Sequence, residues 1–295
     1  MHPLLQQLLA RGPVVTDGAW GTELQARGLP IGEFPDAWNL THPERVASVA
    51  HGYVAVGSRV ILTNTFGANR VRLAEAGLTD RLAEINTRGV EISRAAAGDK
   101  ALTFASMGPT GKLLLNGDVT EAELRDAFAE QANALAASKP DALIIESMSD
   151  VEEARTAVMA ARATGLPVVI CMVFDAGKNK DRTMMGKTPE ETAQVLSAAG
   201  ADVIGANCGQ GIAGFVEICR RLRATTDRPI WIKPNAGLPK LVEGRAVYET
   251  SPERFASHVP ALLEAGANFI GGCCGTTPAF IKAINRILHE TPMPA

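Results

Sequence analysis

Eight times along the chain, a short apolar run is followed by a longer stretch with helical periodicity. The runs are Pro13–Ala19, Ser58–Thr65, Ala101–Pro109, Ala142–Met148, Pro167–Phe174, Ala201–Cys208, Pro229–Ala236 and Asn268–Cys274. Segments such as DALIIES and LPVVICMVF are apolar at nearly every position. Strands covered on both faces of a parallel sheet have this pattern, whereas half-solvated antiparallel strands alternate. The helical stretches carry start signals: Thr120 with Glu123 three positions later has capping-box spacing, and Asp150 and Thr188 head the next two stretches. Gly165, Gly200 and Gly266 stand where helices should stop. Eight such units in about 250 residues match a closed (β/α)8 TIM barrel better than an open doubly wound sheet. The first turn, DGAWGTELQ, lacks the Gly-x-Gly-x-x-Gly fingerprint of dinucleotide folds. No linker or low-complexity tract divides the chain, so the expectation is an α/β protein with a single domain over residues 1–295.

Charge and cysteine content narrow the function classes. With 29 basic and 32 acidic residues and no basic stripe, nucleic acid is not an expected partner. The apolar runs are strand-sized and interrupted by glycines, so no membrane span is expected. The N-terminus, MHPLLQQLLARGPVVTDG, has neither a leading basic region nor a small-residue cleavage site and reads as a short helix, not a secretion signal. Five cysteines, an odd number, argue against a disulfide framework and fit a reducing cytoplasm.

Barrel active sites lie at the C-terminal strand ends. Strand six there delivers Asn207-Cys208-Gly209, and strand eight Gly271-Gly272-Cys273-Cys274. Strands six and eight are near neighbours around a closed barrel, so three thiols converge on one rim. Three thiolates with an open fourth position form a catalytic zinc site. Free cysteines are also commonly buried and inert, which is the reading for Cys171 inside strand five and Cys219 on a helix. Glu146 ends a buried strand and needs a partner: a ligand's ammonium, or a salt bridge within the barrel. Asp17 is a further binding candidate or a turn former before Gly18. Trp20 and Trp38 either flank the site or pack under a loop. The five histidines fall in helical or terminal segments, away from the rim.

DGAWGTELQ, TNTFGANR, GANCG, PNAGLP and GGCCGTTP, in that order, resemble the homocysteine S-methyltransferase family over roughly Gly12 to Ile287. The resemblance implies zinc ligands at Cys208, Cys273 and Cys274, and a homocysteine amino-acid end held by Asp17, Gly18 and Glu146. It also implies a positioning role for Asn207, and for Asn235 a place at the metal when substrate is absent. The implied reaction is methyl transfer to the homocysteine thiolate, forming methionine. A methyl-corrinoid protein or betaine is the expected donor; the folate, cobalamin and activation modules of full-length methionine synthases lie outside this chain. Rival readings are a different small thiol or selenol as acceptor, a non-catalytic zinc or corrinoid-docking subunit, and a lyase or aldolase using Lys233 for a Schiff base.

Overall fold

The computed structural model describes residues 1–242 and 245–290. The domain expected over 1–295 therefore includes a few positions, 243–244 and 291–295, outside the described residues. Eight strands form one sheet: β1 (Val14–Val15), β2 (Val60–Leu62), β3 (Leu102–Met107), β4 (Ala142–Met148), β5 (Val168–Met172), β6 (Val203–Cys208), β7 (Ile230–Pro234) and β8 (Ala267–Ile270). Every laddered pair is parallel, in the order β1-β8-β7-β6-β5-β4-β3-β2. The remaining seam, between β1 and β2, is stitched without a ladder. Arg59 N–H donates to the Val15 carbonyl at 2.8 Å, Ser58 Oγ to the Thr16 carbonyl at 3.2 Å, and Leu62 N–H to Asp17 Oδ2 at 2.7 Å. The sheet is thus a barrel surrounded by helices, a (β/α)8 TIM barrel.

Alternation along the strands sorts side chains into two cores. Val14, Leu62, Phe104, Ile144, Val169, Val203, Trp231 and Phe269 fill the interior, and the first helix, Pro3–Leu9, adds Leu5 and Leu8 to the same cluster. The aromatic members stack, Trp231 with Phe269 at 4.9 Å and with Phe104 at 5.9 Å between ring centroids. The complementary faces pack against the outer helices. Capping boxes form at Thr120–Glu123 and Thr188–Glu191, Asp150 caps its helix, and Gly165, Gly200 and Gly266 all adopt positive φ.

Several strands are shorter than the apolar runs that predict them. β1 is two residues long, yet Thr16 N–H still reaches the Ile270 carbonyl and Gly272 N–H the Asp17 carbonyl, at 2.9 and 3.0 Å. Beyond the ladder the backbone turns across the barrel mouth, and those residues deliver the site. An antiparallel hairpin, Lys240–Val242 with Arg245–Val247, is inserted after β7.

Candidate metal centre and substrate cavity

β7 sets the height of the cysteine-bearing strand ends. Pro234 is in register with Cys208 of β6, and its carbonyl accepts the Cys273 N–H at 2.8 Å. One strand thereby aligns ligands that are 65 positions apart. Gly271 lets the β8 end approach closely, since a Cβ there would collide with Thr16. Cys208 and Ser147 both hold left-handed backbone, φ 61° and 62°. For non-glycine residues this costs about 1–3 kcal/mol and is concentrated at functional sites. Asn207 braces the pair: its Oδ1 accepts Ser147 N–H at 2.8 Å, and its Nδ2 donates to Ser147 Oγ at 2.8 Å and faces Cys208 Sγ and Cys273 Sγ at 3.5 and 3.8 Å.

The Sγ atoms of Cys208, Cys273 and Cys274 all lie within 4.8 Å of one another, with Cys208 and Cys273 at 3.2 Å. On a tetrahedral ion with bonds of about 2.3 Å, ligand sulfurs stand about 3.8 Å apart, so small adjustments seat one ion on all three. Their protons are shared unevenly. Hydrogen bonds from Cys208 and Cys273 draw the Cys274 thiol down, while bonding to Cys273 and Cys274 pushes Cys208 up. A divalent cation is what allows all three to ionise together. Nearby, Asn235 donates through Nδ2 to the Gly209 carbonyl at 2.8 Å, and its Oδ1 is buried without a hydrogen-bond partner. The donor set fits a soft, N/S-preferring metal. Cys171, in the barrel interior, and Cys219, against the carbonyls of Leu262 and Ala265, are fully buried, and burial pushes both thiols up. The histidines stay out of the metal-ligand group.

The thiols border a cavity of about 440 Å³ lined also by Gly18, Trp20, Phe34, Asp36, Phe66, Arg72, Ser106, Glu146, Ser147 and Lys233. Larger cavities occur elsewhere, including one of about 740 Å³ at the opposite barrel end near Arg11 and Arg59, but none of their lining residues belongs to the thiol group. On the cavity floor, Lys233 Nζ meets Asp17 Oδ1 at 2.6 Å, the two side chains being 2% and 0% exposed. Asp17 Oδ2 also accepts from Trp20 Nε1 and Leu62 N–H, both at 2.7 Å, so its carboxylate is fully engaged. Burial alone would draw Lys233 down, but the Asp17 and Glu146 carboxylates outweigh it and hold the ammonium above its ordinary range. Lys233 is therefore a charged structural ion, not the neutral amine an imine-forming lysine needs.

Glu146 accepts one hydrogen bond, from Ser106 Oγ at 2.6 Å. Burial pushes its carboxyl up to about 7, with Lys233 and Ser106 offsetting part of the rise. Trp20 flanks the cavity, whereas Trp38 is buried beneath the loop, bonded to Glu33 and covered by Arg45. Sequence reasoning missed Ser106, Ser147 and Asp36. Ser106 was signalled weakly by its place two residues after inward-facing Phe104. Ser147 depends on the left-handed backbone near the end of β4, and Asp36 on a short helical turn.

Asp36 is buried, accepts the Gly67 N–H at 2.9 Å, and is pushed by burial from 3.8 to about 7. Below pH 3.8 both folded and unfolded states keep the proton. Between there and about 7 only the unfolded chain releases it, so Asp36 lowers folding stability progressively, by up to about 4 kcal/mol at 1.36 kcal/mol per unit. Asp36→Asn should therefore gain stability relative to wild type as pH rises from 4 to 7, measured by urea unfolding at each pH. A difference that stays flat with pH would contradict the assignment.

Residues 14–288 match the family model for homocysteine S-methyltransferase. The chain belongs to the homocysteine S-methyltransferase family. Methionine synthase from Mycobacterium tuberculosis is 30% identical over 309 aligned residues, covering 98% of this chain and 26% of the synthase. The Mycobacterium leprae methionine synthase is 29% identical over 299, covering 95% and 24%. The chain thus spans about a quarter of the length of these curated relatives. Among solved structures, the metallated form of the homocysteine methyltransferase MmuM from Escherichia coli superposes with a TM-score of 0.81 at 22% identity, covering 97% of this chain and 99% of that one. At that identity the likeness speaks for the fold. Membership of this family of one-carbon transferases agrees with the resemblance carried by the five sequence segments.

Proposed function

We propose that this family member is a zinc-dependent S-methyltransferase that forms methionine from homocysteine. The observation that carries the reading is the convergence of three thiols on a cavity whose other wall presents a buried carboxylate with one protein partner. Cys208, Cys273 and Cys274 would hold the zinc. When bound, zinc supplies the positive charge that keeps an acceptor thiol ionised at neutral pH. The chain's own residues bind and orient. Glu146 pairs with the ammonium of the amino acid. Asp17, locked by Lys233, Trp20 and Leu62, fixes the backbone at Gly18 beside the carboxylate end of the substrate. Asn207 turns its amide toward two thiols and holds Ser147, while Asn235 offers the free Oδ1 near the metal ligands. The sulfur of homocysteine then forms a bond to the methyl carbon as the donor's bond to that carbon breaks.

A methyl-corrinoid protein is the preferred donor, with betaine second. Ile31, Phe66, Leu115, Met184, Leu238 and Leu241 are exposed large apolar side chains, all in the segments that connect a barrel strand to the next long helix. Apolar side chains exposed on these connections suit a macromolecular partner if they come together as one patch. No helix among the described residues is long and apolar enough to cross a membrane. The unpaired thiols suit the cytoplasm, and residues 1–295 form one domain on this reading.

Glu146→Gln tests the acceptor assignment. It preserves size and the Ser106 contact but removes the charge. A hydrogen bond to a charged group contributes about 1.5–3 kcal/mol, so homocysteine affinity should fall roughly 10- to 150-fold by calorimetry. Zinc content should be unchanged. In the unbound wild type, Glu146 is protonated below about 7, so affinity should also weaken as pH drops through that value. Equal affinity in Glu146→Gln and wild type would sink the role given to Glu146.

A further inference from the structure

One half-buried side chain beside the thiols has no part in the reading above. Tyr248 follows the inserted hairpin, and its ring packs against the backbone of Gly275, immediately after Cys274. A Cβ at position 275 would collide with Cγ, Cδ1 and Cδ2 of that ring. Gly275 also has φ 79°, so two independent constraints, backbone and contact, act at one residue.

The adjacent-cysteine turn is otherwise tied to its neighbours by hydrogen bonds. Cys273 N–H donates to the Pro234 carbonyl at 2.8 Å and Ala236 N–H to the Cys274 carbonyl at 3.0 Å. Gly275 N–H reaches Thr22 Oγ1 at 3.2 Å, and Thr276 Oγ1 donates to the Cys273 carbonyl at 2.7 Å. These bonds join the turn to the end of β7, to the helix Gly21–Ala26 that follows β1, and to itself. Tyr248 is the contact from the hairpin.

We infer that Tyr248 is a positioning residue for the metal, its ring clamping the Cys274–Gly275 backbone so that two adjacent thiols keep a common aim and bound metal leaves slowly. The inference rests on the zinc reading. It does not require the phenol hydroxyl, because the contact is made by ring carbons. A tyrosine that merely packed the hairpin onto the barrel would alter thermal stability without altering metal release.

The test is zinc release from the loaded protein into excess chromogenic chelator, followed by absorbance. Groups that orient metal ligands typically contribute 10- to 100-fold in affinity, so Tyr248→Ala should release zinc about 10-fold faster or more. Tyr248→Phe, which keeps the ring, should stay within about twofold of wild type. Gly275→Ala should also speed release, and by a smaller factor in a Tyr248→Ala background, because the collision partner is gone. Melting curves of the metal-free proteins show whether each variant is folded. Release from Tyr248→Ala at the wild-type rate, or strictly additive effects of the two alanines, overturns the inference. Wild-type protein that takes up no zinc overturns the metal reading, and this inference with it.

Discussion

Cys208→Ser is expected to lose both bound zinc and methyl transfer while remaining folded. Structural zinc sites bind with about 10–16 kcal/mol shared over four ligands, roughly 3–4 kcal/mol each, so one lost thiolate weakens binding on the order of 10²- to 10³-fold. Activity should fall at least as far. Without the metal, the acceptor thiol returns to a pKa near 8.5 and is mostly protonated at neutral pH. The substitution is small and leaves the left-handed backbone at position 208 as strained as before, since serine also carries a Cβ. Stability of the metal-free protein should therefore change little. Zinc stoichiometry by elemental analysis and turnover on the same sample check the prediction together. Full zinc occupancy in Cys208→Ser would contradict the ligand assignment.

Lys233→Ala should produce the largest loss of stability. Lys233 and Asp17 are 2% and 0% exposed and 2.6 Å apart. Removing one partner of a buried pair strands the other charge and costs about 3–5 kcal/mol. Here Asp17 keeps its bonds to Trp20 and Leu62, which favours the lower part of that range. Glu146 also loses the neighbouring ammonium that opposes its rise, so its carboxyl should move higher still. Urea unfolding of Lys233→Ala, Asp17→Asn and the double variant Asp17→Asn/Lys233→Ala completes a cycle. The double variant should be more stable than the sum of the single losses predicts. Strict additivity would mean that the pair is not coupled.

Much of this architecture is written locally. The apolar runs, the capping boxes at Thr120 and Thr188 and the glycine stops are short-range signals, and the structure realises each of them. The thiol cluster was legible because strand count brings the ends of β6 and β8 near each other. The register that aligns Cys208 with Pro234, and Pro234 with Cys273, belongs to the folded sheet. Lys233 shows where local reading stops. In sequence it is a lysine at a strand end, eligible for imine chemistry. Its partner Asp17 lies 216 positions away, across β8, and only barrel closure brings them together. Trp20 and Trp38 looked equivalent for a similar reason. Trp20 follows Asp17 closely enough to bond it, while a short helical turn carries Trp38 beneath the loop. The left-handed backbone at Ser147 and Cys208 had no sequence signal, since neither residue type favours it.

The most direct test of zinc-dependent methylation is methionine formation, measured by mass spectrometry. Reduced, zinc-loaded protein would receive homocysteine together with methylcobalamin, betaine or S-methylmethionine in separate reactions, with Cys208→Ser as the blank. Methionine above the blank from at least one donor is the predicted result, and the donor that works names the partner chemistry. Protein that holds zinc and binds homocysteine yet yields no methionine from any of the three, nor from a methylated corrinoid protein, would contradict the account.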